Sequence, residues 1–435
     1  VPFAPTPHPL ATLVGAVGSI FGTRFGEDLF VVLGFFALGM LGWLVYALGR
    51  AWFTPLTGVV AALLVLTREP VLSYGVRAYV DIPYICLLLG ALLSETRRSR
   101  AGTVPLALLA VAGLLRPEAW LFAVVYAWWL WRGGVLRPVH LALVVAAPLL
   151  WFLSDLLITG DPLHSLTGTR STAESLGRVT GLQHVPTATP RRLGEILREP
   201  VLFGAVVGGV LSLWRLRTRA VLTGAAAGVL AIVAFAVLAT AGLSILTRYL
   251  LFPATLLAIF AAAGICAWVE LPREDPWRVR WMALGALTVV GLLVFIPSQV
   301  TRLRNTRHAL IAQTHILDEL HDLAVAHLPK DTSCAVWVPN RRAVPQLALW
   351  TDRRPTQIRS AQEEHRYGLP AFIPRSQAIA NEFILDASDK DKTLPPAPED
   401  SEGVEGRYWN LEGPLSQSDR CAVRSELGIE FHQAP

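Results

Sequence analysis

From Leu29 to Ile296 the chain is a succession of apolar runs separated by short gaps, and no other feature restricts its fold as much. The runs are Leu29 to Leu48, Pro55 to Leu66, Val80 to Leu93, Val104 to Leu115, Ala119 to Trp131, Pro138 to Ile158, Val201 to Trp214, Ala220 to Leu243, Tyr249 to Val269 and Trp281 to Ile296. About 20 apolar residues span a bilayer core as a helix, and shorter runs do so with interfacial flanks. Lipid offers the backbone no hydrogen-bond partner, so the runs are predicted to be helices. Charge follows the same division. Val1 to Val300 holds 36 charged residues, 22 Arg and 14 Asp or Glu, whereas Thr301 to Pro435 holds 35 in 135 positions. Only the second part has the share usual in a soluble globule, roughly a quarter. A single soluble domain is excluded, as are a disordered chain and a short-repeat fibre.

The gaps give the orientation. Alternate gaps hold Arg50, then Arg97, Arg98 and Arg100, then Arg132 and Arg137, then Arg215, Arg217 and Arg219, then Arg273, Arg278 and Arg280; the intervening short gaps hold only Arg68, Arg77, Arg116 and Arg248. A 12 to 4 split marks the first set as cytoplasmic. The head of the chain, the gap from Thr159 to Pro200 and the polar tail are then expected on the extracytoplasmic side. Val1 is not Met, and the head lacks the basic start and cleavage site of a signal peptide. Both ends outside would need an upstream span, so a chain truncated before its first transmembrane helix is expected. The net charge of +5 does not point to nucleic acid, because the basic residues form no continuous face interleaved with aromatics.

Three regions follow: residues 1–28 as part of a first outer loop with a juxtamembrane helix, residues 29–300 as a transmembrane helical domain with an outer loop over 159–200, and residues 301–435 as a small extracytoplasmic α/β domain. The outer loop reads equally as a short amphipathic helix over a cavity or as a plain surface loop. In the tail, a helix is predicted over Ala309 to His327, its histidines on a solvated face, then a strand at Cys334 to Val338, a helix ending at Trp350, a strand at Phe383 to Leu385 and a charged loop over Asp389 to Glu405. Cys334 and Cys421 could pair outside the cell, although nothing in their spacing supports it.

Ionisable groups near a membrane core are costly unless paired or wet. Here Arg77, Asp81, Arg116, Glu118, Asp155, Asp161 and Arg248 all fall at the outer ends of the runs, on the arginine-poor face. Interfacial snorkelling accounts for any one of them, but less well for the group. Guanidinium is a permanently charged fork suited to phosphate oxygens, and a nearby carboxylate can take a proton from a hydroxyl. Together they suggest transfer of a group from a lipid phosphate. Glu27 and Asp28, at a helix entry, are explained as well by helix capping as by a catalytic role. The histidines lack paired zinc spacing, and no phosphate-binding Gly-rich loop or nucleophile elbow occurs, so neither metal nor soluble-nucleotide chemistry is expected.

Five segments, PHPL at Pro7 to Leu10, RAYVDIPY at Arg77 to Tyr84, LLRPEAW at Leu114 to Trp120, TGDPLHS at Thr159 to Ser165 and SILTRYLLFPA at Ser244 to Ala254, resemble the GT-C superfamily of membrane glycosyltransferases. This group includes protein O-mannosyltransferases and lipid A aminoarabinose transferases. The resemblance implies a mainly α polytopic fold with a small C-terminal α/β domain. It implies inverting transfer of a sugar from a polyprenyl-phosphate donor to a protein, lipid or polysaccharide acceptor outside the plasma (inner) membrane, with no cofactor. Arg248 would bind the donor phosphate. Tyr249, Arg77, Arg116, Glu118, Asp161, His164 and His8 would line the substrate site, and Asp81 would orient the acceptor or pair with an arginine. The family's principal catalytic base lies just after its first helix, which places the base upstream of Val1. A transporter or a non-catalytic scaffold of envelope assembly is the alternative; no internal repeat supports the former.

Overall fold

A computed structural model of the protein describes residues 7–175, 177–328, 335–361, 370–384, 402–413, 423–424 and 430–431. Each apolar run is helical. In chain order the helices are α1 (Pro9–Ser19), α2 (Thr23–Trp52), α3 (Pro55–Leu66), α4 (Glu69–Val76), α5 (Asp81–Arg97), α6 (Thr103–Gly113), α7 (Glu118–Arg132), α8 (Pro138–Thr159), α9 (His164–Ser175), α10 (Val185–Leu197), α11 (Glu199–Leu211), α12 (Arg219–Thr240), α13 (Leu251–Cys266) and α14 (Pro276–His327). Among the described residues six helical segments are long and apolar enough to cross a membrane, or seven if α3 and α4, bent by 68° at Thr67 and Arg68, form one span. The protein is a multi-pass membrane protein.

Two compact units divide the chain: Thr6–Ser165 with Val179–Leu303, and Leu166–Arg178 with Arg304–Pro435. In the first, α13 is the central helix. The span that contains it is 89% buried, against 17% for α8, whose apolar side chains face outward. α13 is apolar on every face (LFPATLLAIFAAAGIC), as a helix surrounded by helices must be. Small residues set how closely α11 can approach it. A Cβ on Gly208 would collide with the Phe260 carbonyl and the Gly264 backbone, so this crossing requires glycine. α12 starts from Thr218, whose hydroxyl caps the Val221 N–H at 3.3 Å.

In the second unit a five-stranded sheet has the order β2-β1-β3-β5-β4, with β1 (Val336–Val338), β2 (Ile358–Ser360), β3 (Ala371–Pro374), β4 (Glu402–Glu405) and β5 (Trp409–Gly413). β1 pairs in parallel with β2 and β3; β5 runs antiparallel to β3 and β4. Helices α15 (Ala343–Trp350) and α16 (Gln377–Ile384) and the end of α14 cover it. Trp409 is fully buried against Phe372 and Phe383, and its indole N–H donates to the Ile316 carbonyl at 2.8 Å.

Four expectations need correction. The last span and the tail helix are one continuous helix, α14, because the intervening stretch has no glycine or second proline to stop it, and Pro297 is accommodated inside. Phe383 belongs to helix α16 rather than a strand, since Ala380 and Phe383, three residues apart, bury one helical face. Glu27 and Asp28 lie beyond the first turn of α2, exposed, and cap nothing. Of the tail histidines, His327 is buried, and His321 packs edge-on against Trp350. Cys334, Cys421 and most of the charged loop lie outside the described residues.

Candidate active site

The site grows from three corners of the helical unit. The first is Arg77 to Asp81. Ala78 has φ +54°, a left-handed conformation that turns the chain sharply between α4 and α5, and Gly34 of α2 leaves room because a Cβ there would press on Gly75 and Ala78. Asp81 follows as the first residue of α5, where the helix N-terminus favours a carboxylate. The second corner is Arg116-Pro117-Glu118: proline cannot continue α6, and Glu118 opens α7. The third is the 3₁₀ turn Thr247–Leu250, which carries Arg248 and Tyr249 onto the start of α13.

Arg116 joins the first two corners. It is 6% exposed, and its guanidinium pairs with Asp81, itself 1% exposed, and with Glu118, through Nε at 3.1 Å. Burial disfavours its charge, but Glu118 and Asp81 outweigh that penalty and raise its pKa. The same guanidinium lies over the Tyr249 ring at 4.3 Å and the Tyr84 ring at 5.4 Å. Arg248 lies over Tyr249 at 5.6 Å and Tyr79 at 5.9 Å, and Arg77 takes the Tyr79 ring at 4.9 Å. Two rings thus separate three cations that would otherwise repel. Arg248 differs from Arg116: among the described residues it makes no ion pair, the Asp81 charge reaching it only at longer range, and its Nε is buried without an acceptor.

Asp81, Arg116, Glu118, Arg248, Tyr84 and Tyr249 line a cavity of about 20 Å³, together with apolar residues that include Phe122 and Phe252. That is room for roughly one water-sized group. Phe122 and Phe252, stacked edge to face at 5.6 Å, also line a much larger apolar groove of about 740 Å³ between α5, α6, α7 and α12. Its walls combine buried Leu88, Leu92 and Leu109 with half-exposed Trp128, Trp129 and Leu222, and its lining includes Glu95, Tyr126 and Arg219. There Glu95 accepts from the Tyr126 hydroxyl at 2.8 Å and pairs with Arg219.

His8 reaches this region from before α1, which is tied to the α6–α7 corner by the Leu10 N–H to Leu114 carbonyl bond at 3.2 Å. Burial, then the charges of Arg116 and Arg248, push its imidazole down to about 4, and its Nδ1 has no partner. Its ring meets Trp151 edge-on at 5.9 Å. Behind Trp151, the buried Asp155 accepts from the Ser165 N–H and hydroxyl, both at 2.9 Å, while the Trp151 indole donates to the Ser165 hydroxyl at 3.0 Å.

The structure therefore brings together His8, Arg77, Asp81, Arg116, Glu118, Arg248 and Tyr249. Asp161 and His164 do not line the cavity: Asp161 is exposed and accepts from the Leu163 N–H in the turn after α8, and His164 opens α9. The proline after Asp161 ends any helical continuation, and the turn spends the carboxylate on its own backbone. Residues missed by sequence reading are Tyr79, Tyr84 and Glu195. Tyr84 stands three residues after Asp81, one helical turn along the same face, which is a readable signal. Glu195 of α10 has none. It accepts from Thr247 at 3.0 Å and from Arg192 at 2.8 Å, bracing the turn that carries Arg248. Burial works against its charge, but these hydrogen bonds outweigh it and hold its carboxyl below the usual range. Among the described residues no group of three or more His, Cys, Asp or Glu side chains is placed to hold a metal.

No protein-family model and no curated protein matches the sequence. Among solved structures the chain resembles the crystal structure of ArnT from Cupriavidus metallidurans bound to undecaprenyl phosphate, with a TM-score of 0.52 and 13% identity over 93% of this chain and 87% of that one. The fold is of the GT-C type.

Proposed function

We propose that the protein is an integral membrane glycosyltransferase that moves a sugar, with inversion, from a polyprenyl-phosphate donor to an acceptor on the extracytoplasmic face. The observation that carries the reading is the unequal neutralisation of two buried arginines. Arg116 already has Asp81 and Glu118 in direct ion pairs, whereas Arg248, in the same cavity, feels the Asp81 charge only at longer range, has an unused donor and makes no ion pair among the described residues. A donor phosphate would supply the anion, each charge-assisted hydrogen bond contributing about 1.5–3 kcal/mol. The apolar groove that Phe122 and Phe252 also line would take the isoprenoid tail, so head and tail of one amphiphile find matching surroundings. The ArnT structure, of similar fold, was obtained with undecaprenyl phosphate bound, which supports this class of donor.

Asp81 in this reading pairs with Arg116 and holds it still, leaving it unavailable as a proton acceptor. Neutral His8, beside both arginines, would hydrogen-bond the sugar or the departing phosphate without adding charge. The test is the Arg248→Ala substitution in the full chain, reconstituted with a polyprenyl-phosphate sugar. Transfer and undecaprenyl phosphate binding should both fall at least about tenfold, the equivalent of one lost charge-assisted bond. Binding and transfer at the unsubstituted level would refute the assignment.

A further inference from the structure

Of the four arginines in the short gaps of the arginine-poor face, Arg116 and Arg248 line the cavity, Arg77 stacks on the Tyr79 ring that Arg248 also faces, and Arg68 has no part in it. Arg68 occupies the break between α3 and α4 and is only 7% exposed. Its Nη1 donates to the Leu197 carbonyl at 3.2 Å and its Nη2 to the Thr67 hydroxyl at 3.1 Å, while Nε is buried with no partner. The charges that act on it most strongly are like charges, those of Arg302 and Arg198. Burying a cation under the charges of two others, without an ion pair of its own, is costly unless an anion arrives.

The surroundings converge from three elements. Leu197, which holds Arg68, directly precedes Arg198, and Arg198 has φ +69° at the junction of α10 and α11, a backbone conformation unfavourable for a residue other than glycine. The Arg198 guanidinium lies over the Phe295 ring at 5.6 Å and pairs with Glu199 at 3.2 Å. Phe295 and Arg302 are seven residues apart on α14, about two turns along one face. From that helix Gln299 donates to the Thr67 carbonyl at 3.0 Å, so α14 is fastened to the Arg68 corner. Arg302 also acts on Glu199 and has no ion pair among the described residues. Counting Glu199 and the neighbouring Glu69, which has its own interaction, the three arginines still exceed the carboxylates by one.

We propose that Arg68, Arg198 and Arg302 form a second anion site, separate from the Arg248 cavity, that binds the phosphate of a phospholipid headgroup at this membrane face. Arg68 supplies the fixed, buried donor and the other two close around the phosphate oxygens from α11 and α14. The bound lipid would pin the α10–α11 and α3–α4 corners to α14. The proposal does not depend on sugar transfer, and its test uses no transfer assay.

The probes are phosphatidylglycerol, diacylglycerol as a phosphate-free control, and inorganic phosphate, each titrated against the purified full chain in neutral detergent. Bound lipid is read by native mass spectrometry and stability by thermal unfolding. The double variant Arg198→Gln/Arg302→Gln avoids the buried Arg68, so the protein should still fold, and Arg68→Gln is the companion. Phosphatidylglycerol should bind the double variant at least about a hundredfold more weakly, as two lost charge-assisted bonds require, with diacylglycerol unchanged. Repeating the titration in an Arg248→Ala background should leave that difference intact. If inorganic phosphate alone stabilises the unsubstituted protein and not the variant, the anion site stands and its source is free phosphate. Equal phosphatidylglycerol affinity in both proteins together with equal response to phosphate would overturn the proposal.

Discussion

Replacing Asp81 with Asn probes the ion pair on which the cavity is built. Arg116 and Asp81 are both more than nine-tenths buried, so their attraction is little screened. At an effective dielectric near 20 and about 4 Å between charge centres, 332/(20 × 4) gives roughly 4 kcal/mol of gross attraction. Glu118 still neutralises Arg116 in the variant, and the lost carboxylate no longer needs desolvating. The expected cost is therefore near the lower end of the range for a broken buried pair, about 3 kcal/mol. Arg116→Gln should cost more, because it strands both Asp81 and Glu118 without their cation. In the double variant the two losses should overlap, with a coupling energy of about 2–3 kcal/mol. The assay is equilibrium unfolding of the four proteins in mixed micelles. Losses that add to within about 0.5 kcal/mol would show that the pair contributes nothing beyond its separate members and refute the argument.

Two further outcomes are expected. His8 has its pKa depressed from 6.5 to about 4 in the fold, so as pH falls below 6.5 the unfolded chain takes up a proton that the folded chain refuses. Stability should fall from pH 6.5 to 4 by up to about 3 kcal/mol and then level off; the difference between the unsubstituted protein and His8→Asn, followed by thermal unfolding, isolates this contribution, and parallel curves would contradict it. Gly208→Ala should destabilise by about 1–3 kcal/mol, since its Cβ would enter the Phe260 and Gly264 backbone, whereas Gly209→Ala, with nothing within 4 Å, should be neutral or slightly stabilising; equal melting temperatures for the two variants would count against close α11–α13 packing.

The helices were legible because each apolar run, however short, must satisfy its own backbone in lipid, and α5 to α7 fold as helices despite their modest length. The break between α3 and α4 was less so: Thr67, Arg68 and Glu69-Pro70 mark a polar corner, but neither the 68° bend nor the bond from Arg68 to the Leu197 carbonyl, 129 positions away, could be read from them. For the cavity, Arg77, Asp81, Arg116 and Arg248 were readable from the cost of placing charge at helix ends on the arginine-poor face. Asp161 carried the same signal and does not line the cavity, because a carboxylate at a turn can be satisfied by its own backbone. Glu195 looked like one more surface residue of a basic loop; only folding sets it against Thr247.

The sequence by itself determined that the chain is built from membrane helices and which residues bear charge at their ends. Those properties follow from transfer between water and lipid, which each segment feels independently. The tertiary structure alone decided that Asp81 and Glu118 neutralise Arg116 and leave Arg248 without an ion pair among the described residues, that Phe122 and Phe252 line both the arginine cavity and an apolar groove, and that the charges of Arg198 and Arg302 bear on Arg68. The physical reason is that electrostatic energy depends on distances between charges far apart in the chain, and only packing fixes those distances.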